Sequence, residues 1–342
     1  MKQLTILIIF SGFLYVAPSC SNEDRKVPDY KKNVIHVECE LLQINELVGN
    51  PNDIVRIDTL LVYYDFYEEK FLSVFDLKNN NFAGRFLSQG QGPGEAIAPV
   101  LILQYPEKDK LYIYQRNMAI LSILDFPGLK IQQNIQITSE TPWRPFEMQR
   151  TKDYYIGLGI FEKGRFAIYD LNGSLIKEVG KHPFKGEDME RTSAFLAYQG
   201  PYCTNPENNH FASGSLYSDY IAFYKVIDKE VVTIREYYSR DVNVKYNSNH
   251  VSPNNDCVIN YTSAFGSKSY CYMLFSGKTY EDNNSSGSGG NYIIVFDWDG
   301  NYIKTYETDH KIYKFFVDEA NNYIFAKSRD ENGDNCIVKI KI

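Results

Sequence analysis

Five histidines (His36, His182, His210, His250, His310) and six cysteines (Cys20, Cys39, Cys203, Cys257, Cys271, Cys336) are the residues best suited to metal binding or nucleophilic chemistry. Their spacing argues against both. No two cysteines stand as Cys-x-x-Cys, so the usual zinc arrangement is not expected. There is no His-Glu-x-x-His pair and no Gly-x-Ser-x-Gly elbow to expose a nucleophile. Acidic residues are plentiful, yet sequence places no two of them at a catalytic separation. Asp330-Glu331-Asn332-Gly333-Asp334-Asn335 reads as a turn, short of a full calcium loop. Gly90, Gly92 and Gly94 lack the spacing of a dinucleotide fingerprint, and no Gly-Lys-Ser/Thr follows them. The expectation is a chain with no metal, no cofactor and no catalytic residue that can be named.

One cysteine has a different setting. Lys2 gives a minimal basic start, Leu4 to Val16 is apolar, and Ala17-Pro18-Ser19 leads into Cys20. A short apolar run ending in small residues is a secretory signal, too short to span a bilayer. Ala-Pro-Ser-Cys resembles the lipobox of bacterial lipoproteins, although that family prefers Leu where this chain has Ala17. The resemblance implies acylation of Cys20 and anchorage in the outer membrane. The chain divides into a signal peptide (1–19), a polar tether (20–33) and one folded domain (34–342). Glu23 and Asp24 resemble the surface-export signal of Bacteroidetes lipoproteins, or are simply part of a solvated linker.

The folded part must be built from strands. It is rich in Tyr (28) and Phe (21), which suit pleated, packed surfaces. With a net charge of −7 and no basic run, nucleic acid is not an expected partner. A hairpin pattern recurs: an apolar strand, often ending in Asp, then a tight polar turn, then another strand. Copies lie at 73–86, 122–131, 167–177, 222–232 and 294–304. Asn-Gly and Asp-Gly mark two of the turns. Two further strand-like runs precede several hairpins, at 101–105 with 111–114, and at 146–148 with 154–157. A sixth unit, 315–318 with 323–326, ends at 336–342 and leaves no room for a fourth strand. Four antiparallel strands per repeat describe propeller blades. A β-sandwich with similar hairpins is the competing architecture, but five like hairpins plus a split sixth favour an all-β, six-bladed propeller.

A ring with an incomplete last blade closes if the N-terminus supplies the missing strand. The segment 34–42 is strand-like and is predicted to pair beside 336–342, which hides two sheet edges. Cys39 and Cys336 would then lie on neighbouring strands. An exported protein can form a disulfide there, if the register places both on one face.

Gly84 to Glu95 reads as a crossover between blades one and two, or as a backbone nest for an anion. Its Gly-Gln-Gly-Pro-Gly-Glu run, behind a lipoprotein-like signal, resembles the TolB-like six-bladed propeller lipoproteins of Bacteroidetes. The likeness is clearest over 55–126. It implies fold and location, and no activity.

In a propeller, the loops from strand four to the next strand one share a face with those from strand two to strand three. The long segments 88–98, 181–193, 238–256 and 276–290 all fall on that face, with 201–208 the main exception. Long loops on a rigid scaffold carry function, so the channel mouth at their centre is the expected binding surface. Candidate contacts are Glu95, Trp143, Arg144, Arg191, His250 and His310, each with a purely structural alternative. The expected function is a non-catalytic, membrane-tethered module that binds a glycan, a peptide or another envelope protein. The alternative is a propeller enzyme (metal-dependent hydrolase, lactonase or lyase) with its site at the same mouth.

Overall fold

The computed structural model describes residues 26–342, apart from 99, 105–106, 140–143, 182, 184–188, 248–249 and 285–287. The expected signal peptide, Cys20, Glu23, Asp24 and Trp143 lie outside the described residues.

The chain enters through two short strands, β1 (Val34–Val37) and β2 (Cys39–Leu41). Blade one follows as β3 (Ile54–Ile57), β4 (Leu60–Tyr67), β5 (Lys70–Asp76) and β6 (Asn81–Ser88). Blade two is β7 (Val100–Ile102), β8 (Lys110–Gln115), β9 (Ile120–Asp125) and β10 (Ile131–Gln136). Blade three is β11 (Glu147–Arg150), β12 (Tyr155–Leu158), β13 (Phe166–Tyr169) and β14 (Leu175–Val179), and helix α1 (Arg191–Ala197) lies beyond it. Blade four is β15 (Tyr202–Thr204), β16 (His210–Gly214), β17 (Ile221–Ile227) and β18 (Glu230–Tyr237). A separate hairpin, β19 (Val244–Asn247) and β20 (His250–Pro253), precedes blade five. Blade five is β21 (Tyr261–Gly266), β22 (Tyr270–Phe275), β23 (Gly290–Asp297) and β24 (Tyr302–Ile312), with helix α2 (Tyr280–Asn284) in its middle loop. Blade six is β25 (Lys314–Asp318), β26 (Tyr323–Arg329) and β27 (Asn335–Lys341), and β2 completes it.

The third strands of the blades are buried on both faces. Phe71 to Phe75 of β5 are all buried, because each blade packs against a neighbour on either side. Fourth strands such as β6 are mostly half-buried or exposed, because twisted sheets splay apart toward the rim. The core is therefore a series of seams between blades. One cluster runs through blades five, six, one and two, and others fill the two–three, three–four and four–five seams.

An Asp that closes a strand has a physical role in the turn after it, at the third strands of blades three and five and at the second strand of blade six. Asp170 Oδ1 accepts the N–H groups of Asn172 and Ser174, Asp297 Oδ1 those of Asp299 and Asn301, and Asp330 Oδ1 those of Asn332 and Asp334. These are Asx-type turns. Gly173, Gly300 and Gly333 supply the positive φ that each needs (86°, 81° and 87°). Asp330 organises a hairpin turn in this way.

The ring closes through the N-terminus, but by two strands where one was expected. β1 lies parallel to β24 as a fifth strand of blade five, with Val34 opposite Thr305 and Val37 opposite Thr308. The chain then crosses at Glu38, and β2 runs antiparallel to β27, with Cys39 opposite Ile340 and Leu41 opposite Val338. Leu42 N donates to Ile337 O at 2.9 Å. This register corrects the proposed Cys39–Cys336 disulfide. Cys336 lies four residues from Cys39's partner, roughly 13 Å along the strand, and both thiols are free. The sulfurs that do approach are those of Cys203 and Cys271, buried across the seam of blades four and five at 3.5 Å.

The supposed tether is also partly folded. Tyr30 packs edge-on against Phe275 and Phe296, and its hydroxyl bonds that of Tyr261. One aromatic residue thus ties segment 27–33 to blade five. Within the supposed loop 201–208, Tyr202–Thr204 forms the inner strand of blade four.

Candidate functional site

The first strand of every blade lines the ring axis, so its opening residues converge there whatever their distance in the chain. They enclose a cavity of about 420 Å3, within the range of small-ligand sites. Asp53 comes from the start of blade one, Glu147 and Gln149 from β11, Tyr202 from β15, Tyr261 from β21 and Lys314 from β25. Phe195 and Leu196 of α1 add an apolar flank, and Phe146 lies beside Glu147. These positions are the N-terminal ends of the inner strands. The cavity therefore opens on the face of the long crossovers, and α1 packs against β19 and β20 beside it.

The floor is Gln104. Its Nε2 donates to Ala264 O at 2.6 Å and its Oε1 accepts from Gly266 N at 3.3 Å. It thus reaches from blade two to blade five, across the ring. Its own N–H donates to Gln149 Oε1 at 3.0 Å. A second cavity of about 430 Å3 lies on the other side of this bridge, at the opposite face.

The two cavities differ in what their charges do. In the second, Arg56 pairs with Asp318, Lys268 pairs with Glu207, and Glu319 accepts from Tyr272 Oη. In the first, Asp53 Oδ2 accepts, among the described residues, only the N–H of Ile102, at 3.1 Å. Among the described residues, the Glu147 carboxylate and the Lys314 ammonium make no hydrogen bond or ion pair, although both backbones are paired in their strands. The first cavity therefore holds an uncommitted carboxylate and an uncommitted ammonium, side by side with exposed aromatic surface.

Enclosure by protein raises the pKa of both Asp53 and Glu147. Lys314 opposes the shift in each, as does the Ile102 N–H for Asp53 and Arg116 for Glu147, while the charge of Asp53 adds to the rise at Glu147. Glu147 is open to cavity water yet ringed by protein, so its charge is less well solvated than in bulk. Both carboxyls hold their protons more tightly in the folded chain than in the unfolded one. The resulting penalty is absent below about pH 4, where both states are protonated, and complete above the folded pKa values, so stability falls as pH rises between them. Glu147→Gln is expected to match the native protein in urea denaturation near pH 3 and to exceed it near pH 7. Equal stability at both values would show that the enclosed charge carries no penalty.

The residues chosen from sequence lie elsewhere. Glu95 is turned into its own glycine loop, where Oε2 accepts from Gly92 N at 2.8 Å. A Cβ at Gly90 would fall 1.9 Å from that oxygen, so these glycines make room for a carboxylate that shapes the crossover. Arg144 is exposed, and its Nη1 donates to Asn117 O at 3.0 Å, two residues from the cavity's Phe146. Arg191 is the exposed first residue of α1, and His250 is exposed on β20. His310 lies on blade five's outer strand beside Asp309. None of these five lines the cavity. The residues that were missed, Asp53, Glu147 and Lys314, carried one usable signal: each is a charged residue at or just before the first position of an inner strand.

A family model described as a TolB-like 6-blade propeller matches residues 29–320. Among solved structures, a putative exported protein from Bacteroides fragilis superposes with a TM-score of 0.55, covering 90% of this chain and 98% of its own at 13% identity. A DUF4221 family member from Bacteroides vulgatus gives 0.56, with 89% and 96% covered at 13% identity. Regucalcin, a calcium-binding protein from Agrobacterium tumefaciens, gives 0.51, with 90% and 96% covered at 10% identity. At these identities the likeness is one of fold. No curated protein matches the chain. With six sheets around an axial cavity, a ring closed by its own N-terminus and a family match over most of its length, the chain belongs to the TolB-like six-bladed propeller family.

Proposed function

We propose that the protein is a cell-envelope lipoprotein, anchored through Cys20, that binds a short peptide without catalysis in the axial cavity. One observation carries the choice of ligand: an uncommitted carboxylate and an uncommitted ammonium, Glu147 and Lys314, share one apolar-flanked cavity. A peptide presents both charges in complementary sense together with apolar side chains. A neutral glycan would leave both protein charges buried without partners, at a desolvation cost. The likeness to a Bacteroides fragilis protein described as a putative exported protein and the signal-like N-terminus support an envelope location.

The test uses the full chain from detergent-solubilised membranes. Calorimetry against short peptides and against neutral oligosaccharides should show saturable binding of peptides only, lost in both Glu147→Gln and Lys314→Ala. Binding of oligosaccharides alone, or peptide binding unchanged in both variants, would overturn the reading. In the same preparations the native chain should sediment with membranes, and Cys20→Ser should not.

A second reading, a propeller enzyme, draws on the two neighbouring carboxyls with raised pKa values, since such pairs serve acid–base chemistry. It is distinguished by turnover: product released from a bound peptide, and abolished by Glu147→Gln, would establish it.

A further inference from the structure

We propose that Cys39, Asp309 and His310 form a zinc site that fastens the ring closure. Their potential ligand atoms, one sulfur, one carboxylate oxygen and one imidazole nitrogen, all lie within 4.8 Å of one another. His310 Nδ1 is 3.2 Å from Asp309 Oδ1, and the Cys39 N–H donates to that same oxygen at 3.0 Å.

Neighbours such as Asp309 and His310 point to opposite faces of a regular strand. Here they converge because β24 bulges. Its pairing with β23 jumps from Glu307–Tyr292 to Ile312–Gly290, so five steps on β24 face two on β23. The bulge is held by Thr308 Oγ1, which donates to His310 O at 2.7 Å. It begins where β1 leaves β24 and the chain crosses to β2. Bulges of this kind re-aim side chains at functional positions. Cys39 meets the pair from the other strand, and the offset from Cys336 leaves its thiol uncommitted to a disulfide.

A borderline-soft ion with tetrahedral preference suits sulfur, nitrogen and oxygen donors together. Ligand atoms around zinc stand roughly 3 to 4 Å apart, so the three side chains need to close by about 1 Å at most. Asp309 and His310 are exposed and Cys39 is partly so, which gives an entry path and a fourth position for water. On binding, the Cys39 S–H bond breaks, a sulfur–zinc bond forms and the proton leaves to solvent. The ion would then join β2, and through it blade six, to the outer strand of blade five.

The test is a metal titration of the full chain after chelator treatment. Cobalt(II) should bind at one equivalent, with a thiolate-to-metal charge-transfer band and the visible spectrum of a tetrahedral ion. Zinc should displace it and raise the thermal unfolding midpoint. Cys39→Ser should lose the band and the shift. His310→Gln, an exposed change outside the core, should weaken binding at least about tenfold while leaving the metal-free midpoint unchanged. No charge-transfer band in the native chain would overturn the proposal, and so would a band that survives in both variants.

Discussion

Deleting residues 34–42 is expected to abolish cooperative folding. The segment supplies β1 and β2, and Val37 is buried in the cluster that runs through blades five, six, one and two. Leu42 packs against the same cluster. Each such side chain contributes on the order of 1.5–3 kcal/mol when fully buried, and the lost ladder hydrogen bonds add to this. The sum approaches the roughly 5–15 kcal/mol by which whole domains are stable. The deletion also bares the edges of β24 and β27, which can pair with other chains. Urea denaturation should show a broad, early transition, and size-exclusion chromatography should show association. Val37→Asp tests the same point with one residue, since it places an unpaired carboxylate in that seam; a loss of about 4 kcal/mol is expected. A deletion mutant that kept the native midpoint and remained monomeric would mean that blade six holds without its fourth strand.

The second large effect is expected at Arg165. This residue is 1% exposed, at the seam of blades three and four. Its Nη2 donates to Tyr198 O and to Ser213 Oγ, each at 3.0 Å, and its guanidinium lies 5.3 Å from the Phe166 ring centre. No carboxylate pairs with it among the described residues. Arg165→Ala would leave a large void and remove the bonds to Tyr198 O and Ser213 Oγ, at a cost of about 3–5 kcal/mol. Arg165→Met fills most of the volume and removes a charge that is expensive to bury, so it should cost far less. Denaturation of the three proteins side by side separates the contributions. If Met proved as damaging as Ala, the hydrogen bonds to Tyr198 and Ser213 would outweigh volume and desolvation. If Ala proved harmless, the seam would not depend on this side chain at all.

Sequence by itself determined the repeat, the blade number and the partner of the last strand. These are legible because they rest on local rules. An Asp that caps its own turn and a Gly with positive φ three residues later recur at Asp170, Asp297 and Asp330, the first two behind a buried third strand and the last behind β26, the second strand of blade six. The missing fourth strand followed from counting. Its division into β1 and β2 did not, because where a strand crosses between blades is fixed by both neighbours' registers. Tyr30 was misread for a similar reason: one aromatic in a polar stretch has no periodicity, and only the groove between blades four and five gives it a place.

The site was left to tertiary structure. Glu95, Arg144, Arg191 and His250 were chosen because long loops are exposed, but exposure does not bring side chains together. Convergence in a ring happens at the axis, where each blade contributes only the start of its first strand. Asp53, Glu147 and Lys314 meet there from three blades, and Gln104 bridges to the far side. Cys39, Asp309 and His310 meet because one strand bulges while another crosses beside it. Local sequence encodes the hairpin, since its contacts lie a few residues apart. The angle at which six hairpin pairs close a circle is a property of all the seams at once, and that angle decides which charges face each other.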